Sequence, residues 1–143
     1  MARKVALWAL AVLLALGTTL TAAAQDGTVA RLPVDVPGTN VVFMSVRWAP
    51  PGQTLYDVRA EIWKRLVEVL AQAERSGVPV SGQSVSVELP EDGDPRILVN
   101  GMLIVEVDAR HAELNLTTQE GLAQVWAANL ARALDRWAEI NSL

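Results

Sequence analysis

Three carboxylates lie close in the sequence to His111, the only histidine of the 143-residue chain. They are Glu106, Asp108 and Glu113. An imidazole beside carboxylates can act as a general acid–base pair, and the same groups can ligate a metal ion. Asp108, His111 and Glu113 are therefore a candidate site for a small hydrolase or a metal-dependent enzyme.

A structural interpretation of the same residues is simpler. A metal site would lack a second imidazole or a CxxC pair, and the spacing of Asp108 and His111 does not fix them on one helical face. We expect Asp108 to end a strand and His111 to lie in a turn that leads to the next helix. We favour this interpretation, so the sequence assigns no catalytic, cofactor-binding or metal-binding residue.

Other catalytic motifs are absent from the sequence. No serine lies in a GxSxG elbow or an SxxK pair, and there is no Walker loop or GxGxxG run to hold a nucleotide. The chain contains no cysteine, which excludes a disulfide framework and a thiolate metal site. We therefore expect no cofactor.

The N-terminus has the three parts of an export signal. A positive pair at residues 3–4, an apolar run at 5–16 and an A-x-A motif at 22–24 predict a signal peptide at residues 1–24, with a mature chain beginning at Gln25. The alternative is an uncleaved membrane anchor, but the apolar run is shorter than the roughly 20 residues that a spanning helix needs. We expect a periplasmic or secreted protein with no membrane span after signal cleavage.

The charge of the chain argues against nucleic acid as a partner. The formal net charge is -4, and loss of the two cationic residues of the signal would make it about -6 by residue counting. Binding to phosphates requires clustered lysines and arginines, and here the cations are scattered.

Hydrophobic periodicity predicts one α+β domain at residues 40–143, preceded by a flexible leader at 25–39. Its predicted elements are a strand at 40–48, a helix at 54–77, strands at 83–89, 96–99 and 102–109, and a helix that begins at Thr117. Because each helix has one apolar stripe and each strand one apolar face, we expect a two-layer sandwich. Both helices would cover one face of a mainly antiparallel sheet.

Local signals support the ends of these elements. Thr54 and Gly77 are a predicted N-cap and C-cap, and Asn100-Gly101 is typical of a two-residue hairpin turn. Thr117 and Glu120 have capping-box spacing at the start of the last helix. Three tryptophans fall on inward-facing positions, whereas a fourth lies beside the first helical stripe; they are Trp48, Trp126 and Trp137, and Trp63.

Strand alternation also predicts where a partner would bind. If the even positions of the first strand face the core, Phe43 lies on the open sheet face, and Met102 and Ile104 lie there in the last strand. These three apolar side chains are a possible surface for an envelope protein or for self-association. In the alternative interpretation, residues 29–36 fold back and cover them.

Two segments, "YDVRAEIWKRL" (56–66) and "ILVNGMLIVEVDARHAELNLTTQEGLAQVWAANLARAL" (97–134), carry a resemblance. They resemble the small exported domain that precedes the membrane channel in some cyanobacterial proteins of the small-conductance mechanosensitive-channel family. The resemblance implies a periplasmic, non-catalytic module. We therefore expect an exported, non-enzymatic binding or interaction domain of the bacterial cell envelope, with an enzyme centred on His111 as the alternative.

Overall fold

The computed structural model describes residues 31–142. The predicted signal peptide and residues 25–30 of the predicted leader lie outside the described residues. In chain order the described elements are β1 (Leu32–Asp35), β2 (Val42–Val46), α1 (Leu55–Ser76), β3 (Val85–Glu88), β4 (Arg96–Val99), β5 (Met102–Glu106), α2 (Ala109–Leu114) and α3 (Gln119–Asn141).

Helix α1 begins and ends where the local sequence predicts. The side chain of Thr54 accepts a hydrogen bond from the backbone N–H of Asp57, and the Asp57 carboxylate accepts one from the N–H of Thr54. This capping box satisfies two amides that the first helical turn leaves free. At the other end Gly77 has a φ of 69°, a left-handed conformation that favours glycine. The buried side of the helix carries Ile62, Leu66, Val69, Leu70 and Ala73.

Strands β3, β4 and β5 form an antiparallel sheet in that order. The predicted hairpin between β4 and β5 is confirmed, because Asn100 and Gly101 both have positive φ, at 49° and 78°. Two consecutive positive values are characteristic of the type I′ turn, whose twist matches that of the strands it joins.

The described part of the predicted leader belongs to the fold. Strand β1 pairs antiparallel with β2, with Leu32 opposite Val46 and Val34 opposite Met44. Leu32 and Val34 are buried, because they extend the apolar face that Met44 and Val46 present to the core. The leader at residues 25–39 was predicted to be flexible, and this prediction is wrong for the four residues of β1.

The predicted partner surface is also wrong, and two β-bulges explain why. Asp35 pairs with Val42 and Val34 with Met44, so Phe43 is an extra residue in β2. The same happens in β5, where Ile104 is skipped between two paired residues. A bulge interrupts the alternation of side chains, so that consecutive residues can face the same side. Phe43 is 1% exposed and Ile104 is 0% exposed, and the half-buried Met102 packs against the core.

Both long helices lie on the same side of the three-stranded sheet, as predicted. Helix α1 packs on β1 and β5, and α3 packs on β2, β3 and β4, so that a continuous core lies between helices and strands. The opposite face of the sheet is open to solvent. Ser86, Glu88 and Glu106 are exposed there, and Arg96 forms ion pairs with both glutamates. The class is α+β, but the described strands form two sheets, of two and three strands, instead of one.

Helix α3 begins one residue later than predicted. Thr118 is the N-cap, and its hydroxyl accepts a hydrogen bond from the N–H of Gly121 at 3.0 Å. Thr117 instead belongs to the end of α2, where its N–H donates to the carbonyl of Ala112 at 3.1 Å. Within residues 31–142, no helix is both long and apolar enough to cross a membrane.

The tryptophans follow the predicted division between core and surface. Trp126 is buried, and Trp137 is half-buried against the core. Trp48 is half-buried at the end of the first hairpin. Trp63, which the sequence places beside the apolar stripe of α1, is 40% exposed.

Candidate functional site

Asp108 and His111 form a pair that the start of α2 fixes in place. Asp108 is the N-cap of α2, and its Oδ1 accepts a hydrogen bond from the backbone N–H of His111 at 2.8 Å. Because His111 is the third residue of this helix, its ring also lies over the cap. The distance from His111 Nδ1 to Asp108 Oδ2 is 2.6 Å. A single carboxylate therefore holds both the backbone and the ring of His111.

The second nitrogen of the ring is occupied as well. The backbone N–H of Arg47, the residue directly after β2, donates to His111 Nε2 over 3.1 Å. An amide can only donate, so Nε2 carries the lone pair and Nδ1 carries the proton that goes to Asp108. The guanidinium of Arg47 in turn donates to the carbonyl of Leu114 at the end of α2. These two bonds connect residues 64 and 67 positions apart in sequence.

The imidazole is enclosed by aromatic side chains. His111 is 4% exposed. The ring of Trp126 lies 5.6 Å away at 76°, and the ring of Trp48 lies 6.5 Å away at 84°, centroid to centroid. Both are edge-to-face arrangements, which aromatic rings favour. The prediction that His111 is a turn residue is wrong, because it is a buried helical residue in the core.

The Asp108 carboxyl has a pKa below its ordinary value. Partial burial by itself would raise that pKa, but the hydrogen bond from the His111 ring and the one from the His111 backbone N–H lower it by more. Both bonds favour the ionised form. Asp108 is therefore a carboxylate wherever the domain is folded at ordinary pH, and it supports the protonated Nδ1 of His111.

The third member of the candidate site lies elsewhere. Glu113 is exposed and forms an ion pair with Arg110 at 2.9 Å on the outer side of α2. Across residues 31–142, no group of three or more His, Cys, Asp or Glu side chains is placed to hold a metal ion. The structure thus brings together Asp108 and His111 but not Glu113.

A cleft of about 420 Å³ adjoins the pair, between α1, the end of β5 and the loop that follows β2. Part of its wall is apolar and comes from Trp48, Ile62 and Val105. Its charged groups are Glu61, Arg65, Asp94, Glu106 and Asp108. A concave site with converging polar groups is what an active site requires, so this cleft is the place where a reaction would occur if the domain catalysed one.

The charged groups of the cleft are engaged with the chain itself. Arg65 forms an ion pair with Glu61 at 3.3 Å and donates to the carbonyl of Ile104 at 3.3 Å. Glu106 forms an ion pair with Arg96 at 3.2 Å. These internal pairs hold the side chains of the cleft in place. Together with the hydrogen bonds of His111, they join neighbouring parts of the fold to one another.

A different surface of the domain is unusual for its apolar side chains. On the outer side of α1, Tyr56 is 60% exposed, Trp63 is 40% exposed and Val67 is 43% exposed, with the exposed Ala60 between them. We call these four residues the α1 stripe. The indole N–H of Trp63 donates to the carbonyl of Asp35 at 3.1 Å, which fixes the ring against the domain.

A shallow notch of about 390 Å³ lies on the α1 stripe. Tyr56 and Trp63 form its sides, and Ala60, one turn from each of them, lies at its floor beside Arg59. The sequence signal for this surface was Trp63, a large aromatic residue outside the core-facing positions. By contrast, no local signal identified Arg47 as the partner of His111, because the contact depends on the tertiary fold.

The fold and the site define a small α+β domain in which the half-buried Asp108 and the buried His111 join a short helix to the residue that follows a strand. A family model for a domain of unknown function, DUF8459, matches residues 44–137, which is more than half of the chain. The chain belongs to this family. A search of curated proteins finds no match, and neither does a search of solved structures.

Proposed function

We propose that this protein is an exported, non-catalytic interaction domain of the bacterial cell envelope, and that it binds a protein partner through the α1 stripe. The observation that carries the proposal is a second apolar stripe on α1, separate from the one that fills the core. The core-facing side of α1 is already buried against the sheet by residues such as Leu66 and Val69. The exposed side chains of the α1 stripe lie outside this core-facing set.

Several properties of the α1 stripe suit protein binding. Tryptophan and tyrosine are enriched at protein interfaces, because each buries a large area with few rotatable bonds. Single exposed apolar residues need no explanation, but a contiguous patch is characteristic of an interaction site. Trp63 is also fixed by its hydrogen bond to the carbonyl of Asp35, so little conformational freedom would be lost on binding.

The chemistry of His111 supports a non-catalytic role. A general base needs a free nitrogen within reach of the substrate proton. At His111 the acceptor nitrogen already receives the N–H of Arg47, and the other nitrogen is bonded to Asp108. To accept a proton from a substrate, Nε2 would first have to lose a hydrogen bond that joins α2 to β2.

Two features of the sequence support export. The first is the signal-like N-terminus, and the second is the resemblance of residues 56–66 and 97–134 to an exported domain of channel proteins. Mass spectrometry of the periplasmic or secreted fraction tests export directly. We expect a chain that begins near Gln25. Recovery of the intact chain from the membrane fraction would show that the N-terminus remains as an anchor.

The binding role is tested by capture from the envelope fraction with protein purified from cells that express the full chain. Ala60→Glu places a charge at the floor of the notch, and Ala128→Glu is the matched control at an exposed alanine of α3. We expect native protein and Ala128→Glu to capture the same partner and Ala60→Glu to lose it. Equal capture by all three proteins would contradict the role of the α1 stripe.

The cleft beside His111 is the observation that favours the alternative, a small exported hydrolase or metal-dependent enzyme. Its test is a screen of the native protein against ester, amide and glycoside substrates, with and without added divalent metal ions. A hydrolytic activity abolished by His111→Gln, while the variant remains folded by circular dichroism, would replace the interaction proposal with the enzymatic one.

A further inference from the structure

We propose that the partner of the α1 stripe is a second copy of this chain, and that the two α1 helices pack against each other in antiparallel orientation. This inference rests on the proposed function, because it names the occupant of the same surface. Four observations support it: the spacing of the stripe, the sizes of its side chains, the charges beside it and the notch between its aromatic rings.

The spacing suits a helix as the occupant. Tyr56, Ala60, Trp63 and Val67 are separated by four, three and four residues. This alternation keeps side chains in line along one side of a helix and is the pattern of a helix–helix seam. A second α1 presents the same seam to the first.

The side-chain sizes are complementary when the two helices run in opposite directions. If the twofold axis passes between positions 61 and 62, Ala60 faces the partner's Trp63 and Tyr56 faces the partner's Val67. Each layer then pairs a large side chain with a smaller one. The partner's Trp63 would enter the notch over Ala60, between the rings of Tyr56 and Trp63. Symmetry repeats each contact, as in a closed isologous dimer.

The charges beside the stripe distinguish the two orientations. Asp57 and Lys64 flank the same side of the seam, and Arg59 flanks the other side. In an antiparallel pair, residues on the same flank of the two helices meet. Asp57 of each copy then lies near Lys64 of the other copy. In a parallel pair opposite flanks meet, and Arg59 would lie near the partner's Lys64. Exposed ion pairs add little affinity, but the repulsion between like charges disfavours the parallel orientation.

The size of the seam indicates a weak dimer. Four side chains from each copy cover little more than three helical turns, which corresponds to the small interfaces of transient complexes. We therefore expect monomer and dimer to exchange and the dimer to form as the concentration rises. Equilibrium sedimentation of the protein purified from cells expressing the full chain measures this directly, as a mass that increases toward twice the monomer mass.

Two substitutions test the arrangement against one control. Ala60→Glu places a charge where the partner's Trp63 would insert, and we expect the dissociation constant to rise more than tenfold. Lys64→Glu places like charges together in the antiparallel dimer and should weaken it, whereas it would strengthen a parallel dimer by pairing with Arg59. Ala128→Glu, the control on α3, should associate like the native protein. All three positions are exposed, so circular dichroism and Tm should remain native.

Each result decides the inference. Association of the native protein, lost with Ala60→Glu, weakened with Lys64→Glu and retained with Ala128→Glu, supports the antiparallel dimer. Stronger association with Lys64→Glu would overturn the orientation, and association that Ala60→Glu does not change would overturn the surface. A native protein that stays monomeric while its α1 stripe captures another envelope protein would overturn the second copy as partner and leave the proposed function in place.

Discussion

His111→Ala removes the group that joins α2 to β2. In the native protein the His111 ring is hydrogen-bonded to the Asp108 carboxylate and to the backbone N–H of Arg47, and it fills the space between Trp48 and Trp126. The substitution deletes both bonds and leaves a void between the two indole rings. An alanine at an exposed turn position would have almost no effect, so this variant separates the two interpretations of His111.

The magnitude follows from the three losses. A hydrogen bond to a charged group contributes about 1.5–3 kcal/mol, and a buried donor left without an acceptor costs about 1–3 kcal/mol. The void adds the cost of the packing contacts that surrounded the ring, and this cost is smaller if water enters the void. The Asp108 side chain is 30% exposed, so solvent recovers part of its loss. We expect His111→Ala to lower the free energy of unfolding by about 3–5 kcal/mol.

Two further substitutions divide this effect between the two ring nitrogens. An asparagine at position 111 can still donate to Asp108 near the place of Nδ1, and a glutamine can still accept from Arg47 near the place of Nε2. Each should therefore lose less than the alanine variant. Urea unfolding followed by tryptophan fluorescence measures all three. A cost for His111→Ala below about 0.5 kcal/mol, the usual range for surface substitutions, would refute the buried arrangement.

The remaining predictions concern the Asp108–His111 pair, the close packing around Gly82 and the buried position of Ile104. The lowered pKa of Asp108 favours the folded state above pH 3.8, the ordinary value. That contribution is lost as the pH falls through the lower pKa of the folded state. The urea concentration at the midpoint of unfolding should therefore fall in this pH range, and Asp108→Asn should make the fall smaller. Gly82→Ala would bring a Cβ within 2.7 Å of the Asp135 carboxylate, and we expect thermal melting to show a loss of about 1–3 kcal/mol. Ile104→Glu would bury a charge at a fully buried position and should cost about 3–5 kcal/mol in urea unfolding, whereas Leu103→Glu, half-buried on the open face, should cost much less. A soluble, cooperative Ile104→Glu variant of native stability would contradict the core assignment.

Elements defined by neighbouring residues were predictable from the sequence. The capping box of Thr54 and the left-handed Gly77 set the ends of α1, and both signals involve contacts within one helical turn. The turn at Asn100-Gly101 likewise depends on the backbone preferences of two adjacent residues. With the apolar periodicity of the long helices, these local signals determine the α+β class and the side of each helix that is buried.

Only the tertiary structure decided the directions of individual side chains in the strands. The bulges at Phe43 and Ile104 depend on how β2 pairs with β1 and how β5 pairs with β4. A two-residue period assumes an uninterrupted ladder, and a single extra residue turns the next side chain into the core. The pattern of apolar residues alone does not contain this information, because it does not specify which strand is the neighbour.

The role of His111 was decided in the same way. Its bond to Asp108 spans three residues and could have been proposed from the sequence as a helix cap, but its bond to Arg47 spans 64. The sequence determined that one histidine stands beside carboxylates, and so which chemistry was conceivable. Whether its nitrogens are free depends on which distant backbone amide packs against the ring. That is a property of the assembled fold, in which the rings of Trp48 and Trp126 lie beside His111 where β2 and α2 meet.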